Sequence, residues 1–282
     1  MSLSLAIVTA TTNPARARSC LLTWNLPEAL TTVVVLNTAE EPVEGIPTAL
    51  RDLPATYVCA KNYLGTVPAF RAGVDFVLEH STADLIACLH DDFAIHEPDW
   101  QQRTIRHFET HPACGLAGYG GAVGLGSADL YQTPYDPMQL ARIGFRSNLV
   151  DAEVHGMRSL LAEPVACLDG FSQVGRREFW EGFERPGSQR PTLESRPLTY
   201  LADHGFVHHF YDGALGCLAA RAGWETWYLP LRGRHYGGQT AVGDSGYQAW
   251  ATRQIPGGDQ GFWEQSHRRG YELFTDVLPL RL

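Results

Sequence analysis

The stretch DLIACLHDDF, residues 84 to 93, decides the fold that this sequence predicts. An apolar run from Leu85 to Leu89 stops abruptly at His90, Asp91 and Asp92. This pattern is typical of a buried strand with two adjacent carboxylates at its end, and ligands of open α/β sheets bind at such strand ends. Neighbouring carboxylates repel each other, and a divalent cation would neutralise them. The alternative is that the pair caps the next helix, since Asp is a favourable N-cap residue.

Strand and helix patterns alternate on both sides of this stretch. Such alternation predicts an α/β fold with a mostly parallel sheet flanked by helices. The predicted strands are Leu3–Thr9, Thr31–Asn37, Thr56–Cys59 and Leu85–Leu89, and the predicted helices are Pro14–Trp24, Pro68–His80 and Trp100–His111.

The second half of the chain is less regular. Residues 115–126 are rich in glycine and predict loops and short strands, whereas residues 184–197 are polar, broken by prolines, and predict a mobile surface loop. Residues 211–222 predict a helix that Gly223 terminates, and residues 224–229 predict a last strand. We find no internal repeat and no linker, so we expect one compact unit.

Composition excludes several classes of protein. The chain has 282 residues, 44% of them hydrophobic, which suffices for a full core. Its formal net charge of -9 disfavours a nonspecific nucleic-acid binder. The N-terminus lacks the basic region of a signal peptide, and no apolar stretch reaches membrane-spanning length. We therefore expect a cytoplasmic protein that associates at most peripherally with a membrane.

The six cysteines are scattered and contain no C-x-x-C pair. This spacing indicates neither a disulfide framework nor a structural zinc site, which agrees with a reducing compartment. Cys59, Cys88, Cys167 and Cys217 have apolar neighbours and are predicted to be small core residues.

Several common catalytic motifs are absent or incomplete. The segment Gly118–Gly121 begins like a dinucleotide-binding loop, but Val123 occupies the position of the last glycine. The sequence has no Walker A motif, no G-x-S-x-G elbow and no H-E-x-x-H pair. His208 and His209 are either structural or metal-binding. His235 follows the last predicted strand, so it either meets Asp92 at one cation or is a surface-loop histidine.

An ordered series of segments resembles the motifs of the family 2 glycosyltransferases, which have the GT-A fold. The series spans about residues 3 to 240, and its order is more specific than any single motif. It comprises the opening strand Ala6–Thr9, Asn62–Gly65 with Ala69, Arg71 and Gly73, the D-x-D-like Leu89–Phe93, Asp169–Phe171 with Arg176 and Arg177, His209–Asp212 with Leu218, Ala222 and Gly223, and the late His235.

The sequence also departs from the pattern that it resembles. His90 replaces the first acid of the D-x-D motif, and Arg71 stands where Asn is usual. Tyr211 replaces a Glu and Ala214 an Asp, so Asp212 is the remaining acid at the acceptor helix. Asn37 stands where many relatives carry an Asp that contacts the base, which leaves the nucleotide open.

The resemblance implies one GT-A domain over residues 1–282. Within it, residues 1–115 would form the nucleotide-sugar-binding half and residues 116–240 the acceptor and catalytic half. Residues 241–282 would be a C-terminal extension on the acceptor side.

The resemblance also implies a reaction and a set of site residues. Asp92 and His235 would hold Mn²⁺ or Mg²⁺ on the donor diphosphate, where the metal acts as a Lewis acid. Asp91 would bind the ribose or support the ligands of the metal. Asp212 would be the general base of a single inverting displacement, and the alternative is that it caps its helix. The other donor-binding residues would be Thr9, Asn37, Asn62, Gly65 and Gly170.

The implied partners are a nucleotide-diphosphate sugar and an acceptor hydroxyl. UDP-sugars are favoured over dTDP- and GDP-sugars, and the acceptor would be a glycan, a lipid-linked sugar or a small molecule. Two alternatives stay open: an enzyme of the same fold that modifies a hydroxylated nucleic-acid base, and a non-catalytic sugar-nucleotide or glycan-binding protein. The arginines available for a nucleic-acid groove are Arg142, Arg146, Arg158, Arg176, Arg177, Arg185 and Arg190.

Overall fold

The fold is described from a computed structural model that covers residues 2–27, 30–37, 46–59, 65–126, 142–150, 156–237 and 245–281. The strands are β1 Leu5–Thr11, β2 Thr31–Leu36, β3 Thr56–Cys59, β4 Leu85–Leu89, β5 Phe93–Ile95, β6 Cys114–Gly118, β7 Gly120–Leu125, β8 Arg142–Ser147, β9 Met157–Arg158, β10 Glu163–Pro164, β11 Cys167–Leu168, β12 Ser172–Arg176, β13 Glu225–Tyr228, β14 Gly233–His235 and β15 Leu280–Arg281. The α-helices are α1 Pro14–Leu21, α2 Thr66–His80, α3 Trp100–Thr110, α4 Arg177–Glu181, α5 Pro197–Asp203, α6 Tyr211–Arg221, α7 Ser245–Gln254 and α8 Gly258–Leu273.

The central sheet has eight strands in the order β10-β13-β6-β12-β4-β1-β2-β3. Strands β1, β2, β3, β4, β6 and β13 run in one direction, and β12 and β10 run against them. The carboxyl ends of the six parallel strands therefore meet at one edge of the sheet. Because β12 is antiparallel, its first residue, Ser172, also lies at that edge, opposite Leu89.

Alternating side chains divide the sheet into two buried faces. In β4, Ile86 and Cys88 pack into the core that contains α2, α4, α5 and α6, whereas Leu85, Ala87 and Leu89 pack into the core on the opposite face with α1 and α3. Both faces of a parallel strand are covered by helices, so its sequence is apolar throughout rather than alternating with polar residues. This explains why residues 85–89 are an unbroken apolar run.

The helices next to the carboxyl edge start and stop at identifiable residues. Helix α1 begins after Asn13, whose side chain accepts a hydrogen bond from the Arg16 backbone N–H at 3.1 Å, and Pro14 occupies its first position. Helix α6 ends before Gly223, which has a φ of +76° that favours glycine.

A short antiparallel pair outside the central sheet brings a distant segment to the carboxyl edge. Strand β14 pairs with β5, with His235 opposite Phe93. The Tyr236 backbone N–H also donates to the Asp92 carbonyl at 3.0 Å. His235 is thereby brought beside the carboxylates that follow β4. A further sheet, β11-β7-β8-β9 with β15 on β7, lies near α6.

The predicted fold class is confirmed, since a mainly parallel central sheet is flanked by helices and followed by α7, α8 and β15. Strands of both predicted halves, residues 1–115 and 116–240, belong to this one sheet. The glycine-rich residues 115–126 form more regular structure than expected, because β6 is a buried strand of the central sheet.

One core prediction is wrong. Cys88, Cys167 and Cys217 are buried, but Cys59 is exposed. It lies at the end of β3, the edge strand of the central sheet, where burial falls off at both ends of the strand. Cys20 and Cys114 are also buried.

No helix within the described residues is both long enough and apolar enough to cross a bilayer.

Helix α2 packs so closely on β1 that one contact requires glycine. A Cβ atom at Gly73 would lie 2.3 Å from Cγ1 of Val8, a stiff β-branched side chain. We expect Gly73→Ala to lower the free energy of unfolding by about 1–3 kcal/mol, because overpacking outweighs the gain in helix propensity. Urea denaturation of Gly73→Ala, of Val8→Ala and of the double variant would measure these changes in the free energy of unfolding. The double variant should recover part of the loss, and additive effects would contradict the close contact.

Candidate active site

A polar cavity opens at the carboxyl edge of the central sheet. Its walls come from the ends of β1, β2 and β4, from the turn before β12, from the start of α6 and from α7 and α8. The acidic and basic groups around it are Arg16, His90, Asp91, Asp92, Arg142, Asp169, His208, His209, Asp212 and Asp259.

Asp91 is neutralised by helix α1. Nη2 of Arg16 lies 2.9 Å and 3.1 Å from the two carboxylate oxygens of Asp91, and the Thr11 hydroxyl donates to the same group at 2.6 Å. The Asp91 side chain is only 9% exposed. Burial raises the pKa of Asp91, and the Arg16 charge opposes that shift. Asp91 is therefore an ion-paired carboxylate at the wall of the cavity.

Asp92 is surrounded by imidazoles instead. Its Oδ1 lies 3.2 Å from Nε2 of His235 and 3.9 Å from Nδ1 of His90. Potential ligand atoms of these three residues all lie within 4.8 Å of one another, which makes them a candidate metal group among the described residues.

The environment of Asp92 favours its ionised form. Burial alone would raise its pKa, but the adjacent His235 and His90 outweigh burial and bring the pKa to about 2. Within the described part of the chain, the buried Oδ1 atom has no hydrogen-bond partner, since the His235 contact lacks hydrogen-bond geometry. A buried carboxylate oxygen without a hydrogen-bond partner, next to two ring nitrogens, fits a divalent cation.

Asp212 shares a cation with Asp169. Arg142 donates to Oδ2 of Asp212 and lies 3.2 Å from Oδ2 of Asp169. The Gly170 and Gly213 backbone N–H groups donate to Asp212 at 3.1 Å and 2.8 Å. Burial raises the pKa of Asp169, but the Arg142 charge outweighs it, and the pKa lies below its ordinary value. Asp212 is thus a buried carboxylate that Arg142 and two backbone N–H groups hold in position at the cavity wall.

The structure decides between the alternative roles that the sequence left open for the acids and for His235. Asp91 and Asp92 do not cap a helix, because β5 follows them and the next helix begins only at Trp100. Asp212 lies in the first turn of α6, and the N-cap residue is Phe210. His235 is on β14 with a side chain only 13% exposed, so it is not a surface-loop histidine.

The other predicted donor-binding residues lie at or near the same edge. Asn37 and Gly170 line the cavity, and the Asn37 side-chain amide donates to the Gly65 carbonyl at 3.4 Å. Gly65 precedes α2 with a φ of +85°. Thr9 is fully buried in β1, whereas Thr11, two residues later, reaches the cavity. Asn62 lies outside the described residues.

Arg176 and Arg177 lie at the opposite edge of the sheet from the cavity. Arg176 is the last residue of β12 and Arg177 comes next, so both lie at the end of the strand that is farthest from Ser172. Arg176 pairs with Leu85 at the start of β4. Their guanidinium groups donate to backbone carbonyls of Phe108, Cys114, Leu78 and Ser81. The two arginines therefore lie away from Asp169 and Gly170, with which the resemblance groups them and which line the cavity. The arginines proposed for a nucleic-acid groove are likewise divided, because Arg142 lines the cavity at the other edge.

Sequence reasoning missed four residues of this site. The ligands predicted from the sequence were Asp92 and His235, and His90 is the third member of the candidate group. Arg16, Arg142 and Asp169 were not assigned roles at the cavity, although each is ion-paired there. The sequence signal for His90 was its position two residues before Asp92, the spacing of the two acids in a D-x-D motif. No local pattern marks the pairing of Arg16 or Arg142 with acids far along the chain.

His208 and His209 have hydrogen-bond partners in the protein. Nδ1 of His208 lies 2.9 Å from the Thr66 hydroxyl, and Nε2 of His209 lies 2.8 Å from Asp259 on α8. Tyr247 of α7 donates to the same Asp259 oxygen. These contacts connect the C-terminal helices to the rim of the cavity.

Comparison with known proteins gives structural likenesses at low identity. No protein-family model matches the sequence, and no curated protein matches it. The solved structure of the mannosyltransferase PcManGT from Pyrobaculum calidifontis, in complex with GDP-Man and Mn²⁺, shares 14% identity with a TM-score of 0.47 over 99% of this chain and 74% of that one. The STIV protein A197 shares 13% identity with a TM-score of 0.42 over 83% and 86%. Both likenesses are too distant to indicate what this chain binds or transfers.

The Arg16–Asp91 pair predicts a specific loss of stability. We expect Arg16→Met to lower the free energy of unfolding by about 3 kcal/mol, because a buried carboxylate loses its cation while Thr11 still donates to it. The matched control is Arg18→Met on the same helix, whose partner Asp52 is 67% exposed. That exposed pair should contribute less than about 1 kcal/mol. Equal losses in urea denaturation of the two variants would contradict the burial argument.

Proposed function

We propose that this protein is a metal-dependent, inverting glycosyltransferase that moves a sugar from a nucleotide-diphosphate sugar to an acceptor hydroxyl. The observation that carries the proposal is that one cavity is lined by His90 and Asp92, which form a candidate metal group with His235, and by the positioned carboxylate of Asp212. The ordered resemblance of the sequence to family 2 glycosyltransferases supports the same reaction.

The metal would bind at Asp92 rather than at the other acids. Asp91 and Asp212 are each paired with an arginine, which does not lose its proton in proteins. The close partners of Asp92 among the described residues are imidazoles, which can release a proton and become ligands. When bound, the cation supplies Lewis-acid stabilisation of the departing nucleoside diphosphate.

The ligand atoms of the candidate metal group bear on which metal is used. Two imidazole nitrogens and one carboxylate oxygen are softer than the all-oxygen surroundings that Mg²⁺ prefers. Both Mn²⁺ and Mg²⁺ remain candidates, and this set favours Mn²⁺.

The remaining groups of the cavity would bind the donor. Asn37 and Thr11 at the ends of β2 and β1 offer polar contacts to the nucleoside, with UDP-sugars favoured over dTDP- and GDP-sugars. Arg16 holds Asp91 in a fixed orientation in which a free lone pair can accept from a ribose hydroxyl. Asn62, Gly65 and Gly170 complete the proposed donor side.

Asp212 would act as the general base. The Arg142 guanidinium and two backbone N–H groups orient its carboxylate at the cavity wall. It would accept the proton of an acceptor hydroxyl while that oxygen attacks the anomeric carbon from the face opposite the leaving group. A single displacement of this kind inverts the configuration. The acceptor would be a glycan, a lipid-linked sugar or a small molecule.

The first test is nucleotide release from UDP-, dTDP- and GDP-sugars in Mn²⁺, Mg²⁺ or EDTA. We expect release from one donor, faster in Mn²⁺ than in Mg²⁺, abolished by EDTA and reduced at least ~100-fold by Asp92→Asn, because the leaving diphosphate loses its counter-charge. Asp52→Asn is the matched control, since Asp52 is an exposed acid far from the cavity lining. Release that persists in EDTA would exclude the metal-dependent mechanism.

The second test concerns Asp212. We expect Asp212→Asn to lower the rate of transfer or of donor hydrolysis about 10²–10⁴-fold while the dissociation constant of the donor stays unchanged, because only proton removal is lost. Asp276→Asn, which changes an exposed acid paired with Arg221, is the control. If Asp212→Asn turns over donor like the wild type, Asp212 is not the base. Donor binding without turnover in the wild type would favour the non-catalytic binding protein.

A further inference from the structure

The ring of His90 is tied to a buried tyrosine. Nε2 of His90 lies 2.9 Å from the Tyr211 hydroxyl, which in turn donates to the Gly170 carbonyl at 2.8 Å. Tyr211 is 4% exposed, so water does not compete for this hydroxyl. The three groups form a short relay from the turn before β12, through α6, to the residue that follows β4.

The hydrogens of this relay can be assigned by elimination. A carbonyl oxygen only accepts, so the single hydroxyl hydrogen of Tyr211 is used on Gly170. The His90 contact then requires the ring N–H at Nε2 to donate to the tyrosine oxygen. A histidine that binds a metal ion is neutral, and a neutral ring carries one hydrogen. Nδ1 of His90 is therefore left with a lone pair.

That lone pair faces the metal group. Nδ1 of His90 lies 3.9 Å from Oδ1 of Asp92, too far for a hydrogen bond. Ligand atoms that each bind one cation at about 2.1 Å lie about 3–4 Å apart, which is the observed spacing. Two acceptor atoms at this separation can share one cation, and the relay prevents His90 from placing its own hydrogen between them.

The surroundings are built to hold this arrangement. A Cβ atom at Gly170 would lie 2.5 Å from the Tyr211 hydroxyl oxygen, so the approach of the hydroxyl to this carbonyl requires glycine. The His90 ring stacks on Phe70 with 5.9 Å between ring centroids, and Tyr211 packs on the same ring. The orientation of His90 is thus determined by Phe70 on α2 and by Tyr211 on α6, which the Gly170 carbonyl orients in turn.

We propose that Tyr211 is a positioning residue whose hydroxyl, oriented by the Gly170 carbonyl, holds His90 in the Nε2–H tautomer, so that Nδ1 of His90 completes a three-residue divalent-cation site with Asp92 and His235. The inference rests on the proposed metal site and adds to it the group that orients His90. Partners of this kind on ligating histidines fix the ring and its tautomer.

The test is direct binding of Mn²⁺ alone, measured by calorimetry and by electron paramagnetic resonance of the free ion. We expect Tyr211→Phe to weaken Mn²⁺ binding about 10–100-fold, as loss of such a partner does. Tyr228→Phe is the matched control, because it removes one hydroxyl from another buried tyrosine, which donates to the Ser159 carbonyl at 2.9 Å. That variant should bind Mn²⁺ like the wild type.

Two further measurements keep the inference open to refutation if Tyr211→Phe folds poorly. Gly170→Ala should weaken Mn²⁺ binding in the same way, because its Cβ displaces the tyrosine hydroxyl. Nitrogen-15 NMR of the metal-free wild type should show His90 as the Nε2–H tautomer.

The outcomes separate the relay from the metal site itself. Wild-type Mn²⁺ binding that Tyr211→Phe leaves unchanged, or an Nδ1–H tautomer of His90 in the wild type, would overturn the role of Tyr211 and leave the Asp92–His235 site intact. A wild type that binds no Mn²⁺ would overturn both.

Discussion

Three buried carboxylates, Asp91, Asp92 and Asp212, and the partly buried Asp169 lie at the carboxyl edge of one sheet, and the rest of the site follows from how their charges are balanced. Burial of a charge without a partner is strongly unfavourable, so each acid needs a cation or donors nearby. Arg16 pairs with Asp91, and Arg142 pairs with both Asp169 and Asp212. Asp92 is flanked instead by His90 and His235.

This difference in partners separates the roles of the acids. Arginine keeps its proton, so Asp91, Asp169 and Asp212 are held as oriented carboxylates. Imidazoles can exchange a proton for a metal ion, so the surroundings of Asp92 are the place where a cation can enter without leaving a protein charge unpaired. One polar cavity is thereby lined both by an acid whose partners can exchange a proton for a cation and by a fixed carboxylate. That combination is what a reaction with a charged leaving group and a hydroxyl nucleophile requires.

Much of the fold could be predicted from local pattern. The strands at Thr56–Cys59 and Leu85–Leu89 begin and end where the apolar runs do, and the helix that Gly223 terminates ends as expected. The predictions failed where burial depends on distant neighbours. Cys59 has apolar neighbours in the sequence but lies on an edge strand. Arg176 is the last residue of a strand that runs away from the cavity, because that strand is antiparallel. Neither fact can be recognised from residues adjacent in sequence.

By itself, the sequence determined which chemical groups are present and which of them stand at strand ends, because apolar runs and glycine positions act over a few residues. It therefore placed Asp91, Asp92 and Asp212 correctly at element boundaries. The tertiary structure alone decided their partners, since Arg16 lies 75 residues from Asp91 and Tyr211 lies 121 residues from His90. Pairing at such separations depends on strand order, which arises only when the whole sheet is assembled.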